Sequence, residues 1–356
     1  VGISTPHLNS AITEENNMPK VILFYLSPNN TGGWVTFTAH LIKTLEAVGV
    51  EVDLRKIGNN TENKRRPFGY GLTYKNTSPE DAYDLAVHET TLIVAAAKKF
   101  KEHTEELLML GAKIVIHDPT EFKNISPLAL TADQVVTIRK TGQTAVNAFL
   151  GLDVEFEKPV AFIRHPYVRR EIPSAQKDVL VVSTSRIDFD KNSTLLLDAN
   201  RLLEGEDKIK MYGFENRLYT RFKVCPDYPE WEQSKCAYPR EIDAAFNILN
   251  DAMFMVDMSV IKGDGGGTQY TFLEAWDAGC IPIIHSEWII DGDDMEEGIN
   301  CLVADSGESI AKLINAFDLE PTEDGFIAEL VKSGQEALER HDPQVIGNQY
   351  REFLDV

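Results

Sequence analysis

Four cysteines occur in 356 residues, and no two of them stand as Cys-x-x-Cys. That removes the usual zinc-binding spacing, and Cys280 and Cys301, set in apolar runs, read as buried free thiols. A reduced, cytoplasmic setting goes with that usage. No apolar run approaches the ~20 residues of a membrane helix, so no membrane partner is expected. The glycine spacing of a dinucleotide fingerprint and the lysine of a phosphate-binding P-loop are both missing. Cations are scarce: 35 Lys and Arg against 56 Asp and Glu leave a net charge of −21. Such a chain does not draw in nucleic acid or anionic membrane by its overall field. A local basic face stays open to a polyanion, because fields are screened beyond about 10 Å at ordinary salt.

What is present is ordinary for a globular chain: 43% hydrophobic and 26% charged residues, at a length that suits two domains. Residues 1–17 are polar, with no apolar core, and are not a signal peptide. They read as a leader outside the folded unit, disordered or added to the natural chain, with Met18 a candidate start.

Thr268 to Ile284 organises the rest. Gly263 to Gly267 form a loop containing Asp264. Leu273, Trp276 and Asp277 fall at helical spacing, Gly279 supplies a stop, and Cys280 to Ile284 is a buried strand. Glu274 lies in the first turns of that helix, near its positive end. There a carboxylate holds ligand hydroxyls while free N–H groups face an anion; the plainer alternative is a surface Glu on a loop–helix–strand unit.

The N-terminal half alternates strand and helix. Lys20 to Leu26 is a strand, Val35 to Val48 a helix and Glu51 to Leu54 a strand. Ser27 to Trp34 between them is a turn-rich loop whose Gly32 and Gly33 let the backbone approach a ligand. Asn59 to Asn76 reads as a long connection with Lys64, Arg65 and Arg66 beside Phe68, Tyr70 and Tyr74. It is either a solvated loop or a phosphate-and-base contact. Strands at Thr91–Ala96, Ala112–Ile116, Asp133–Ile138 and Val160–Ile163 follow, with helices at Lys98–Leu110 and Thr141–Leu150. His117-Asp118-Pro119 ends the second of these strands, either facing a cleft as an acid/base pair or serving as a turn. Arg164 to Tyr167 reads as an interdomain linker.

The pattern restarts at Val179, giving an α/β chain of two Rossmann-like domains across a cleft. Arg186 and Lys191 straddle the loop after strand Val179–Ser183. They suit a diphosphate, or else pair with Asp188 and Asp190. Trp288 to Asp294 has an Asp-x-Asp that could hold a divalent ion, but with Glu296 and Glu297 following it reads as an acidic solvated loop. His285 reads as structural.

In order and spacing, Gly33-Trp-Val-Thr36, His117-Asp118, Arg186 with Lys191, and Tyr270-Thr-x-Leu-Glu274 followed by Gly279-Cys-Ile-Pro282 resemble the retaining GT-B glycosyltransferases. Among these they resemble the DNA alpha-glucosyltransferases of T-even bacteriophages. The resemblance implies a GT-B fold: a leader at 1–17, an acceptor-side domain at 18–167 and a nucleotide-sugar domain at 168–342. A last helix, 343–356, packs back on the first domain. It implies a UDP-sugar donor, no essential cofactor or metal, a monomer, and retaining transfer to a hydroxymethylated cytosine in double-stranded DNA. Gly32 and Gly33 would approach the donor, and His117 and Asp118 the acceptor hydroxyl. Arg186 and Lys191 would bind the diphosphate, Tyr270 and Thr271 would donate to phosphate, and Glu274 would hold the ribose. Lys64, Arg65, Arg66, Arg139 and Lys140 would face DNA, with Arg164, Arg169 and Arg170 extending that basic face. Many family members carry a second Glu eight positions before Glu274, where this chain has Gly266, so donor-sugar recognition lies elsewhere. A glycan or small-molecule acceptor, or sugar-nucleotide binding without catalysis, are the alternatives.

Overall fold

The computed structural model describes the chain except residues 1–17, 29–31, 59–63, 171–176, 206–207, 239–243, 261–266 and 318–324. The leader and Asp264 and Gly266 of the glycine loop lie outside the described residues.

The first half is a sheet of β1 (Lys20–Tyr25), β2 (Glu51–Ile57), β3 (Arg66–Gly69), β4 (Leu72–Thr77), β5 (Thr91–Val94), β6 (Lys113–Ile116), β7 (Val135–Thr137) and β8 (Ala161–Phe162). The spatial order is β3-β4-β2-β1-β5-β6-β7-β8. Only β3 and β4 pair antiparallel. Helices α1 (Gly33–Ala47), α2 (Pro79–His88), α3 (Lys101–Met109), α4 (Pro119–Phe122) and α5 (Lys140–Leu150) connect the strands. The apolar run of β1 is buried along Val21 to Tyr25, as befits a strand covered on both faces.

The second half is a parallel sheet of β9 (Val179–Ser183), β10 (Lys210–Met211), β11 (Ala252–Asp257), β12 (Ile281–Ile284) and β13 (Leu302–Val303), in the order β10-β9-β11-β12-β13. Around it lie α6 (Ser193–Leu202), α7 (Arg217–Tyr219), α8 (Ala244–Asn250), α9 (Tyr270–Asp277), α10 (Gly307–Asn315), α11 (Phe326–Ala337) and α12 (Pro343–Leu354). Gly279 ends the α9 turn in the left-handed region at φ 60°.

Two sequence expectations change here. Asn59–Asn76 is not a connection throughout: from Arg66 it forms the β3–β4 hairpin, which pairs with β2 at the sheet edge. A two-residue turn at Tyr70 and Gly71, both at positive φ, lets it fold back. Helix α2 was not expected at all, although Ser78 caps it by accepting from the Asp81 N–H at 3.1 Å.

Residues 164–170 are also more than a linker. They form a strap between the halves, buried at His165 to Tyr167. The Tyr167 N–H donates to the His341 carbonyl, its hydroxyl to Asp277 Oδ2 at 3.0 Å, and the Val168 N–H to His40 Nδ1 at 2.9 Å. Helix α12, from the C-terminal end, lies on α1 of the first half. Gly347 brings the two helices so close that a Cβ there would meet Val48 Cγ1 at 2.7 Å and Thr44 O at 2.9 Å. Ile346, Tyr350 and Leu354 are buried in the shared core, each worth about 1.5–3 kcal/mol of burial.

Candidate functional site

A cavity of about 820 Å³ opens where the C-terminal ends of β1, β5 and β6 face the loop after β9 and the start of α9. From the first half it is lined by Tyr25, Gly32, Gly33, Trp34, His117 and Asp118. The second half contributes Thr184, Ser185, Arg186, Lys191, Tyr270 and Thr271. Open α/β sheets bind ligands in this position.

Two helices start at the cavity with no side chain capping them. The first N–H to bond within α1 is that of Val35, which donates to the Gly32 carbonyl. Gly32 sits at φ 141°, a conformation that glycine reaches without a Cβ penalty. Helix α9 starts in the same way: Gln269 leaves its side chain out of the cap and donates instead to Asp257 Oδ2 at 2.8 Å. Uncapped N-termini present N–H groups and a positive dipole end to an anion. The same Asp257, buried, accepts from Ser185 Oγ and from the Ser259 N–H, so the β9 loop is tied to α9.

His117 and Asp118 are held by a residue that the sequence reading missed. Glu121 of α4 is 2% exposed. Its Oε1 accepts the Ala96 N–H at 3.1 Å, and its Oε2 accepts the N–H groups of His117 and Asp118. His117 Nδ1 lies 3.3 Å from Glu121 Oε2, and the ring stands edge-on to Phe37 at 4.4 Å. His117 Nε2, His165 Nδ1 and Thr184 Oγ1 are buried without a hydrogen-bond partner, and all three residues line the cavity. Buried polar atoms are nearly always paired, so this group marks a place for a polar ligand. Burial, then the charge of Arg139, pushes the His165 imidazole well below its ordinary value, so it is neutral. An i, i+4 acid after His-Asp-Pro was the available signal for Glu121.

The other expected residues divide. Arg186 reaches the cavity but is 58% exposed and paired with Asp188 and Asp190, each at 3.2 Å. Lys191 lines the cavity and makes no ion pair among the described residues. Glu274 does not reach the cavity wall. It sits in the second turn of α9, 8% exposed, with Arg170 Nη2 at 3.9 Å from its carboxylate.

The expected basic face does not form from Arg139, Lys140, Arg164 and Arg170. Arg139 is 7% exposed, lines the cavity and packs over Trp288 at 5.4 Å. Lys140 donates to the Gly292 carbonyl, Arg164 to Asp294 at 2.8 Å, and Arg170 lies over Phe246. All four contact the other half or the seam, which uses their charge internally. Lys64, Arg65 and Arg66 do lie at the outer hairpin, with Arg65 Nη2 3.9 Å from Asp53. The acidic loop reading fails as well: Asp293 and Asp294 are each 2% exposed, and Asp294 is clasped by Arg164, Arg340 and His341. His285 caps its own turn by accepting the Glu287 N–H. Cys280 and Cys301 are buried free thiols.

No family model matches the chain, and no curated protein sequence matches it. Solved structures do. Anabaena Alr3699/HepE in complex with UDP and glucose is similar at 16% identity and TM-score 0.65, over 94% of this chain and 99% of that one. An alpha-glucosyltransferase in complex with UDP and a 13-mer DNA containing an HMU base is similar at 12% identity and TM-score 0.66, over 94% and 99%. S. aureus TarM, as a mutant in complex with Fondaparinux, alpha-GlcNAc-glycerol and UDP, is similar at 10% identity and TM-score 0.65, over 95% and 100%. The fold is GT-B, two Rossmann-like domains facing each other across a cleft. Among the described residues no helix is long and apolar enough to cross a membrane, and no cluster of three metal-ligating side chains occurs.

Proposed function

We propose that the chain is a retaining, UDP-sugar-dependent glycosyltransferase whose acceptor is the hydroxyl of a hydroxymethylated cytosine in DNA. One observation carries the donor half of this reading: two uncapped helix N-termini, with Arg186 and Lys191, converge on one cavity. That arrangement suits a diphosphate. The bond from the sugar C1 to the β-phosphate oxygen breaks, and the acceptor oxygen bonds C1 on the same face. The acceptor proton passes to the departing diphosphate. Lys191 and Arg186 stabilise the charge that develops on that leaving group, more in the transition state than before it. To do so Arg186 exchanges its two carboxylates for phosphate. His117 and Asp118, fixed by Glu121, stand where the acceptor hydroxyl enters. Glu274 reaches a ribose only by leaving Arg170. The bound UDP of several structural neighbours supports this donor.

The DNA acceptor rests on the hairpin. Phe68 of the hairpin packs edge-on against the cavity residue Tyr25 at 4.9 Å, which ties the segment that Lys64 to Arg66 lead into to the cavity wall. A base modified inside a duplex must leave the stack, which requires such phosphate contacts. The net charge and the burial of Arg139 favour the second reading, a glycan or small-molecule acceptor. Incubation with hydroxymethylcytosine DNA and a panel of UDP-sugars, followed by nucleoside mass analysis, decides. A hexose or pentose increment that Lys191→Ala abolishes supports the proposal. No increment with any donor sinks the DNA acceptor, and no turnover of any UDP-sugar sinks the transferase.

A further inference from the structure

A second, smaller pocket of about 170 Å³ lies farther along α1, lined by Ala39, His40, Lys43, Tyr70, Val168, Arg169 and Arg170. Its charge is unusual for this acidic chain. Lys43 and Arg169 make no ion pair with a carboxylate among the described residues. The Arg169 guanidinium donates to the neutral Gln335 carbonyl. Arg170 is partly offset by Glu274 at 3.9 Å and donates to the Tyr167 hydroxyl at 3.2 Å.

His40 supplies an independent sign. It is 5% exposed, and its Nδ1 accepts the Val168 N–H, so the neutral ring carries its proton on Nε2. That donor has no partner. A buried N–H left unpaired costs free energy unless something accepts from it. The ring stacks on Tyr167 and on Tyr270, each at 4.9 Å, so its position is fixed by residues of the strap and of α9.

We propose that this pocket is a second anion site, taking one phosphate group between His40, Lys43, Arg169 and Arg170. The phosphate oxygens accept from His40 Nε2 and from the three cationic side chains, as charge-assisted bonds. The site is separate from the cavity of the proposed reaction and does not depend on the donor's identity. Its occupancy braces α1 against the strap, and through the His40–Tyr270 stack it reaches the helix start that lines the larger cavity. The phosphate group comes either from a free ion or from a nucleic-acid backbone.

The test is a titration of the intact chain with inorganic phosphate at constant ionic strength, following the His40 Nε2 proton by NMR. A saturable shift is expected. Lys43→Ala, a change on the exposed side of α1, should weaken it about tenfold, the scale of one lost charged hydrogen bond. Lys191→Ala should leave it in place. No saturable His40 response overturns the proposal, as does a response that Lys191→Ala removes and Lys43→Ala spares, because phosphate would then bind only in the larger cavity. Adding an unmodified duplex separates the sources. Displacement of phosphate from His40 assigns the group to a nucleic-acid backbone, and no displacement assigns it to the free ion. Either result retains the site.

Discussion

Replacing Glu121 tests how the His117–Asp118 end of the cavity is held. Its carboxylate accepts from Ala96 at 3.1 Å, from Asp118 at 3.2 Å and from His117. It is almost fully buried, so Glu121→Ala leaves three inward N–H groups without an acceptor. Each such orphan costs about 1–3 kcal/mol. The three share one acceptor, so their costs do not add in full and the lower end of the sum applies, about 3–5 kcal/mol. Ala95 adds to the demand. It is a buried residue at φ 56°, a left-handed conformation that costs on the order of 1 kcal/mol, and the Ala96 bond to Glu121 helps to hold it. Glu121→Gln keeps one acceptor oxygen. Turned toward His117 and Asp118, it forfeits only the Ala96 bond, about 1–3 kcal/mol. Urea unfolding followed by circular dichroism should therefore order the midpoints as parent, Gln, Ala, with an unchanged slope. Activity should fall in the same order even where the protein stays folded, because His117 and Asp118 lose their bracket. If Glu121→Ala unfolds within about 0.5 kcal/mol of the parent, as a surface change does, the N–H groups have other acceptors and the bracket argument fails.

Three further outcomes follow from the same structure. Gly347→Ala pushes a methyl into Val48 and the Thr44 carbonyl; overpacking of this kind should cost about 1–3 kcal/mol by urea unfolding and loosen α12 from α1. His40 is buried, and burial, then the charges of Arg170 and Lys43, lowers its folded value to about 3 from 6.5. The unfolded chain therefore binds a proton that the folded chain refuses. His40's contribution is complete above pH 6.5 and is lost as pH falls to about 3, amounting to about 5 kcal/mol. A stability–pH profile of His40→Gln should be flatter than the parent's across that window, and an equal slope would refute the assignment. If DNA is the acceptor, exchanging Lys64, Arg65 and Arg66 for alanine should reduce the slope of log affinity against log salt by about 3, one per lost phosphate contact.

The parallel sheets were legible because each central strand is a short apolar run ending in a turn signal, as in Lys20–Tyr25 and Ile281–Ile284. The cavity-lining residues His117, Asp118, Arg186 and Lys191 were legible because they follow strand ends, and Tyr270 and Thr271 because they open a helix after a glycine-rich loop, where chain order fixes position. The misses share a physical cause. Glu121, His40, His165 and Asp294 matter through burial and through partners far away in sequence, and neither shows in local pattern. Glu274 illustrates the converse. Its place in the helix was readable, but which face of α9 meets Arg170 depends on the strap. The hairpin was hidden because Lys64 to Tyr74 lacks alternation and is stabilised by its edge pairing with β2 instead.

The distribution of cations explains how so acidic a chain can hold an anion. Arg139 lines the cavity, Lys140 and Arg164 contact the loop at Gly292 to Asp294, and Arg170 packs beside α9, so all four sit at or beside the seam between the halves. Two helix N-termini add partial positive charge at the cavity itself. In a low-dielectric cleft such groups act on a bound phosphate far more strongly than the same groups would on an open surface. The outer acids meanwhile repel polyanions at long range, where salt screens them. A compact diphosphate therefore gains from the interior charges without needing a favourable outer field. A duplex would gain only from cations that project, as Lys64 and Arg65 do beside the hairpin and Lys43 and Arg169 do at the smaller pocket. This asymmetry keeps the donor half of the reading independent of the acceptor half, which the salt dependence of the Lys64, Arg65 and Arg66 variant tests separately.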